Sequence, residues 1–377
     1  MKGFAPTTVA FGVALLASHA HAQSTVTLYG VVDTGLMYIH NSGGHSTQIA
    51  MTSGVESGSR FGLKGSEDLG GGLNAIFQIE NGFNSTNGKL GQGSRLFGRQ
   101  AYVGLSGNNW GSVTLGRQYD PVVDLVQPVQ GDNWLGGFFT SPGDVDNADN
   151  SVRFNNAVKW ASPNWSGLHL EAMYSFGNIA GSVGSGQTYS GAASYSIGAV
   201  SLAAGYLHVD NGNATLSTRG TTSSDSFFNS SVNNAYASSR SINIARAGGT
   251  YALGNFILGG YYSFSQYNPD ASSTFTKSEK YHNGSVYAVW QATPSFQAEI
   301  GYDYMKSYGD SSAKQNQFAI GVDYFLSKRT DVYGVAAYAL ASGQNGAGAA
   351  QAVIGSNDVD SGSNKQALVT VGLRHKF

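Results

Sequence analysis

The chain has 377 residues, a formal net charge of −2 and charged side chains at only 12% of positions, against roughly 25% in an ordinary soluble chain. It has no Cys, which excludes disulfides, thiolate chemistry and Cys-ligated zinc. The near-neutral balance gives no support to nucleic-acid binding, and no nucleic-acid partner is expected.

Gly is abundant at 52, Pro scarce at 7, and Tyr and Phe number 21 and 19. Many aromatics and glycines with few prolines suit many strands joined by tight turns. The length fits several ordinary domains or one large β-barrel.

Residues 1–22 read as a signal peptide. Lys2 gives the positive start, Val9 to Ala17 the apolar run, and Ala20-His21-Ala22 the small-residue cleavage site, between Ala22 and Gln23. That run is too short to span a bilayer, which takes about 20 residues. Beyond it no 18-residue apolar run occurs. An exported chain without a spanning helix is either soluble or a transmembrane barrel.

The period after residue 22 is two. From Val26 the face Leu28, Val32, Leu36, Tyr38 alternates with Thr27, Tyr29, Asp33 and Gly35. Leu168, Leu170, Ala172, Tyr174 and Phe176 alternate with His169, Glu171, Met173 and Ser175. Phe296 to Tyr304 and Ala367 to Phe377 repeat the pattern. Alternation over segments of about ten residues marks a transmembrane barrel, apolar side chains to lipid and polar ones to the lumen.

Short turns are expected at 68–71, 107–110, 163–166, 197–198, 253–255, 293–295 and 328–329, and longer polar stretches at 41–57, 85–95, 121–154, 178–187, 210–240, 269–281, 308–315 and 342–366. These connections alternate and imply about sixteen strands, enough for an aqueous channel. The expectation is an all-β, antiparallel barrel over 23–377 with no internal domain boundary. The stretches 210–240 and 342–366, rich in Ser, Asn, Gly and Ala, read as mobile external loops.

Segment 121–154 is the longest that does not read as a strand. It is expected to fold into the lumen as the third external loop, with Trp134, Phe138 and Phe139 as anchors. Parity sends Arg60, Lys64, Glu80 and Lys159 inward, opposite Phe61, Leu63, Ile79 and Val158. Arg99 shares the outward parity of Ala101, Val103 and Leu105, so it needs a bulge or a position beyond the apolar band. Trp110, Trp165 and Trp290 suit the interfacial aromatic girdles. Asp144-Val-Asp146-Asn-Ala-Asp149 lacks the spacing of a calcium loop, and no His pair has metal-site spacing. No cofactor or metal is expected.

Val26-Thr-Leu-Tyr-Gly-Val-Val-Asp33, the run Ser59 to Leu73, Arg99-Gln-Ala-Tyr-Val-Gly-Leu105, Gly111-Ser-Val-Thr-Leu-Gly-Arg-Gln118, Ser327-Lys-Arg-Thr330 and Arg374-His-Lys-Phe377 together resemble the trimeric general porins of β-proteobacteria, the neisserial type included. The resemblance spans residues 23–377. It implies a sixteen-stranded homotrimer in the Gram-negative outer membrane, in contact with membrane lipid and lipopolysaccharide. It also implies that the third external loop forms the eyelet. Similar porins set an arginine cluster there, which by position falls on Arg60, Arg99 and Arg153. Loop acids Asp120, Asp124, Asp132 and Asp144 would oppose it. Asn74 stands where such porins often carry Lys. Phe377 looks like the terminal aromatic that marks barrels for outer-membrane assembly.

The function expected is passive diffusion of small hydrophilic solutes and ions, with a weak anion preference. An enzyme in a barrel lacks its motif here, since no G-x-S-x-G elbow occurs. A substrate-specific channel and an adhesin-like surface barrel are the alternatives. An aromatic track in the lumen would favour the first, but the inward faces carry mainly Gly, Ser, Asp, Glu and Arg.

Overall fold

The computed structural model describes residues 24–211, 227–357 and 359–377. The leader, its junction at Ala22 and Gln23, and the centre of the 210–240 stretch lie outside the described residues. Among the described residues one antiparallel sheet of eighteen strand segments closes on itself, first strand against last.

Two segments add no stave to the barrel. His45–Ser53 pairs with the outer half of β1 (Thr25–Ser42) and Arg60–Gly70 with its inner half, so together they form one interrupted stave, β2. Gly348–Ala349 pairs only with the rim residues Gln344 and Asn345. Sixteen staves remain. They continue as β3 (Leu73–Gly82), β4 (Gln100–Gly107), β5 (Gly111–Gln118), β6 (Phe154–Ala161), β7 (Leu168–Ser175), β8 (Thr188–Ile197), β9 (Val200–Asp210) and β10 (Ser241–Leu253). Then come β11 (Phe256–Asn268), β12 (Glu279–Thr293), β13 (Phe296–Tyr308), β14 (Ser312–Phe325), β15 (Thr330–Asn345) and β16 (Lys365–Lys376).

The sequence alternation becomes two faces. On β13, Gln297, Glu299 and Asp303 are buried while Ile300 and Tyr304 are exposed. On β16, Gln366, Thr370 and Arg374 are buried while Val369, Val371 and Leu373 are exposed. Buried polar groups inside and exposed apolar groups outside is the inverse of a soluble fold. It is what a lipid-facing wall around a polar interior requires. Trp110, Trp165 and Trp290 are exposed beside short turns, at one rim. Phe377 sits at the same rim, its backbone N–H and C=O both paired with Gly30.

Three expectations are corrected. The stretch 41–57 is not a loop but mostly strand. β1 runs to Ser42 and turns through Gly43 and Gly44, both with positive φ. The polar composition of 45–53 hid the short outward repeat Ile49, Met51. The stretch 308–315 is only a tight turn at residues 309–311. The described parts of 210–240 and 342–366 are not free-standing loops. Phe227, Val232 and Tyr236 are buried among inward-facing side chains, as are Ala352, Val353 and Ile354.

Residues 54–59 interrupt β2 and leave the ladder. Asp33 holds them: its carboxylate accepts from the amides of Glu56 (2.9 Å) and Ser57 (2.8 Å) and from the Tyr333 hydroxyl (2.6 Å).

Segment 121–154 begins with the helix Pro121–Val126, whose N-cap Asp120 accepts from the amides of Val122 and Val123. Its remaining turns pack against inward-facing side chains of distant staves. The Tyr287 hydroxyl donates to the Val129 carbonyl (2.9 Å), Tyr267 to Val145 (2.6 Å), and the Gln317 amide to Phe138 (2.8 Å) and Thr140 (3.1 Å). Leu135, Phe138 and Phe139 are fully buried with Met37, Ile39, Tyr333 and Ile354. Each such side chain contributes about 1.5–3 kcal/mol of apolar burial. Gly136 has φ +79 and lies against the backbone of Val55 and Glu56. A side chain there would be strained and would meet Glu56 Cα at 2.6 Å.

Candidate functional site

A cavity of about 610 Å³ opens where segment 121–154 meets the interrupted stave β2. Arg60, Arg99, Arg153, Arg374 and Lys376 border it, as do Asp124, Asp132, Asp149 and Glu56. Three chain stretches thus deliver three arginines to one space: the start of β2's second half, the residue before β4, and the end of the long segment.

The arginines are bound into a chain. Glu80, buried on β3, takes the Arg99 Nε at 2.7 Å, the Arg60 Nε at 3.8 Å and the Tyr29 hydroxyl at 2.8 Å. Tyr119 links Arg99 to the third guanidinium group, its ring centroid 5.8 Å from Arg99 and 4.9 Å from Arg153. Its hydroxyl accepts from Arg153 at 2.9 Å. Cation–π contacts of this kind are worth about 0.5–2 kcal/mol each. Arg153 also donates to the Asn150 side chain (3.0 Å) and the Ser151 carbonyl (3.1 Å). Arg60 donates to the Gly58 carbonyl (2.8 Å). The backbone explains Arg99: it precedes β4, and its amide donates to the carbonyl of Glu80 (3.2 Å), the residue already opposite Gln100, so the regular alternation of the strand does not reach it.

The acids divide into two kinds. Asp120 does not border the cavity. It is the helix cap, fully buried, and also accepts from the Asn147 amide (3.2 Å). Asp144 does not border it either. Its oxygens accept from the amides of Asp149 (2.9 Å) and Ser151 (3.3 Å), and close a turn. Burial pushes both carboxyls up, and for Asp144 the neighbouring Asp146 adds to it. Short acidic side chains satisfy loop amides, which is why two expected pore acids are structural instead.

Asp124, Asp132 and Asp149 do border the cavity. Asp124 is ion-paired with Lys159, whose ammonium also donates to the Tyr119 carbonyl (3.2 Å). Asp132 accepts from the Gln127 amide (2.6 Å) and Asp149 from the Ser356 hydroxyl. Burial and the Asp144 charge push the Asp149 carboxyl up to about 7, against the pull of Ser356, Arg153 and Arg99. Burial and the charge of Asp149 push Asp132 well above the usual carboxylate range.

Lys64 and Lys159 stand outside the cavity's lining. Lys64 is exposed, its ammonium 5.4 Å from the centroid of Tyr29. Lys159 is spent on Asp124 and, at 3.9 Å, on Glu171. Five further lining residues were not assigned from sequence: Asp149, Tyr119, Glu56, Arg374 and Lys376. For the last two the signal was present, because they alternate with the outward Val371 and Leu373. For Asp149 the acidic run drew attention to calcium rather than to the pore. Tyr119 and Glu56 left none, since neither lies within a regular alternation. Trp134 also lines the space and packs on Tyr287, centroids 5.3 Å apart.

A closed sixteen-stave barrel with an apolar outside and a polar inside defines an outer-membrane β-barrel. The comparisons make that specific. The profile of the Gram-negative porin family matches residues 7–344. An outer membrane porin protein of Bordetella pertussis is 31% identical over 96% of each chain. Outer membrane porin protein 32 of Delftia acidovorans is 28% identical over 98% of this chain and 99% of its own. The anion-selective porin from Comamonas acidovorans superposes with a TM-score of 0.72 at 24% identity, covering 94% of this chain and 100% of that one. OmpT of Vibrio cholerae in its trimer form gives 0.65 at 16%, covering 94% and 99%. The chain belongs to the Gram-negative porin family, whose members form channels in the outer membrane.

Proposed function

We propose that this porin is a trimeric channel with a weak anion preference, open to small hydrophilic solutes and ions. In this reading segment 121–154 lies in the lumen and forms the constriction. Arg60, Arg99 and Arg153 are its positive wall, and Asp124, Asp132 and Asp149 its acidic side. The observation that carries the reading is the arginine chain itself: three guanidinium groups beside one cavity, held by Glu80 and Tyr119. Fixed charges across a narrow aqueous gap sort ions by sign. Two of the three acids are discounted. Lys159 neutralises Asp124, and Asp132 has its charged form disfavoured by burial. Glu80 offsets one of the three guanidinium charges, but Arg374 and Lys376 also border the gap, so its net field is positive in this reading. The anion-selective relative and the trimeric OmpT support selectivity and assembly by likeness of fold.

The test is planar-bilayer recording of the purified protein under a KCl gradient. Conductance in steps of three with a reversal potential on the chloride side is expected. Silent bilayers from folded, heat-modifiable protein would contradict the channel, and a potassium-side potential would contradict the arginine wall.

A further inference from the structure

Two long connections, 121–154 and 342–366, are bonded to each other. The Ser356 amide donates to the Gly137 carbonyl (3.2 Å), and the Gly143 amide to the Gly355 carbonyl (2.7 Å). The Ser356 hydroxyl donates to Asp149. Gly355 has φ +52, and a Cβ there would overlap the Gly137 carbonyl oxygen, so only glycine admits this approach.

One wall residue fastens the pair. Gln317 has the inward parity of β14, beside the exposed Phe318, and is fully buried. Its side-chain amide donates to the carbonyls of Phe138 (2.8 Å) and Thr140 (3.1 Å) and accepts from the Gly355 amide (2.6 Å). Both of its donors are thus used on one connection and its acceptor on the other. Glutamate would lack the donors, and lysine the acceptor. Gln315, the previous inward residue of the same stave, donates to the Gln351 carbonyl (2.7 Å).

The bonded pair stands between two cavities. The 610 Å³ cavity reaches Arg374 and Lys376, and a second, of about 460 Å³, reaches Met37 and Ile39. Lys376 pairs with Val31 and Leu368 with Ile39, so the second cavity lies nearer the long-loop rim. Both are lined by Gly54, Val55, Gly137, Asp149 and Ser356. Gln317 is uncharged and lines neither.

We infer that Gln317 is a positioning residue for the constriction. By locking Gly355 and Ser356 onto residues 137–149 it makes the last long connection one side of a neck between the two cavities. This role rests on the channel reading above. Because Gln317 touches neither cavity, it sets pore width only through the two connections it holds.

Single-channel recording with polyethylene glycols of graded size tests it. Q317A and Q317E, as folded trimers, are both expected to show higher conductance than wild type and to admit larger polymers. A merely structural role would lower stability and leave the size cut-off where it was. The chain has no Cys, and a Cβ at Gly137 would fall against the Ser356 Oγ, so cysteines at the two positions are within disulfide reach. Oxidised G137C/S356C should lose its free thiols. In the Q317A background the same pair should form more slowly, and its oxidation should return the widened pore to the width of oxidised G137C/S356C. Wild-type conductance and cut-off in both Gln317 variants, thiols that stay free beside an intact Gln317, or oxidation that leaves the Q317A pore wide would each overturn the assignment. A silent wild type would instead contradict the channel reading; the rate of disulfide formation would then decide alone, and an equal rate without Gln317 would overturn its positioning role.

Discussion

The basic and the acidic sides of the cavity are held by different means. Arg60, Arg99 and Arg153 come from separate stretches and are joined by side chains, through Glu80 and Tyr119. The segment's cavity acids are each held singly by a side chain, Asp124 by Lys159, Asp132 by Gln127 and Asp149 by Ser356, while Asp120 and Asp144 behind them cap a helix and close a turn. The wall side keeps its charge because guanidinium stays ionised in any protein setting. The loop side loses part of its charge, because burial and the neighbouring acids push the Asp132 and Asp149 carboxyls up. In the proposed constriction such a pair leaves the field positive, and Arg153, bonded to Asn150 and Ser151, ties the wall to the loop.

Four substitutions or conditions sharpen that contrast. The largest effect is expected at the loop's anchor. Phe138→Ala removes a fully buried ring and should lower unfolding stability by about 3–5 kcal/mol. It should also raise single-channel conductance and current noise. A stable variant with unchanged conductance would mean the anchors do not position the loop. Next is Asp120→Ala, which loses a helix cap worth about 1–2 kcal/mol. Chemical denaturation should show the loss, while the reversal potential stays at the wild-type value. A selectivity change as large as that of Asp149→Asn would erase the division between structural and cavity acids.

Asp149→Asn should do the opposite: stability within error of wild type, and an anion-to-cation permeability ratio roughly twofold higher, the order expected for one charge across an aqueous gap. The smallest effect is the pH response. Asp149's carboxyl is held near 7, so it is charged above that pH and neutral below it. Anion preference should therefore rise as pH falls from 8 to 6, and the response should be flat in Asp149→Asn. A preference that falls on acidification would have the sign wrong.

The barrel was legible because its signal is local and repeated. Val369, Val371 and Leu373 against Thr370, Gly372 and Arg374 needs no partner strand to be read, and the alternation of short and long connections gives the stave count. Parity alone sends Arg60 inward, but its grouping with Arg99 and Arg153 was legible only through the resemblance. Arg99 has the wrong parity for a lumen residue, and nothing local says that it leaves the ladder. The split among the acids was not legible at all. Asp120, Asp124 and Asp144 look alike in sequence, and only the packed loop shows which carboxylates meet amides and which meet the cavity. Stretch 45–53 was lost for a related reason: its outward face is two residues long, too short for a period to register.

The central claim is that the arginine chain sets the sign of the field at the constriction. Reversal potentials under one KCl gradient, for wild type and for the R60Q/R99Q/R153Q variant in folded, trimeric form, test it most directly. The account predicts a chloride-side potential for wild type and a shift through zero to the potassium side for the variant. A variant that keeps the wild-type potential would contradict it and move control of selectivity to Arg374 and Lys376.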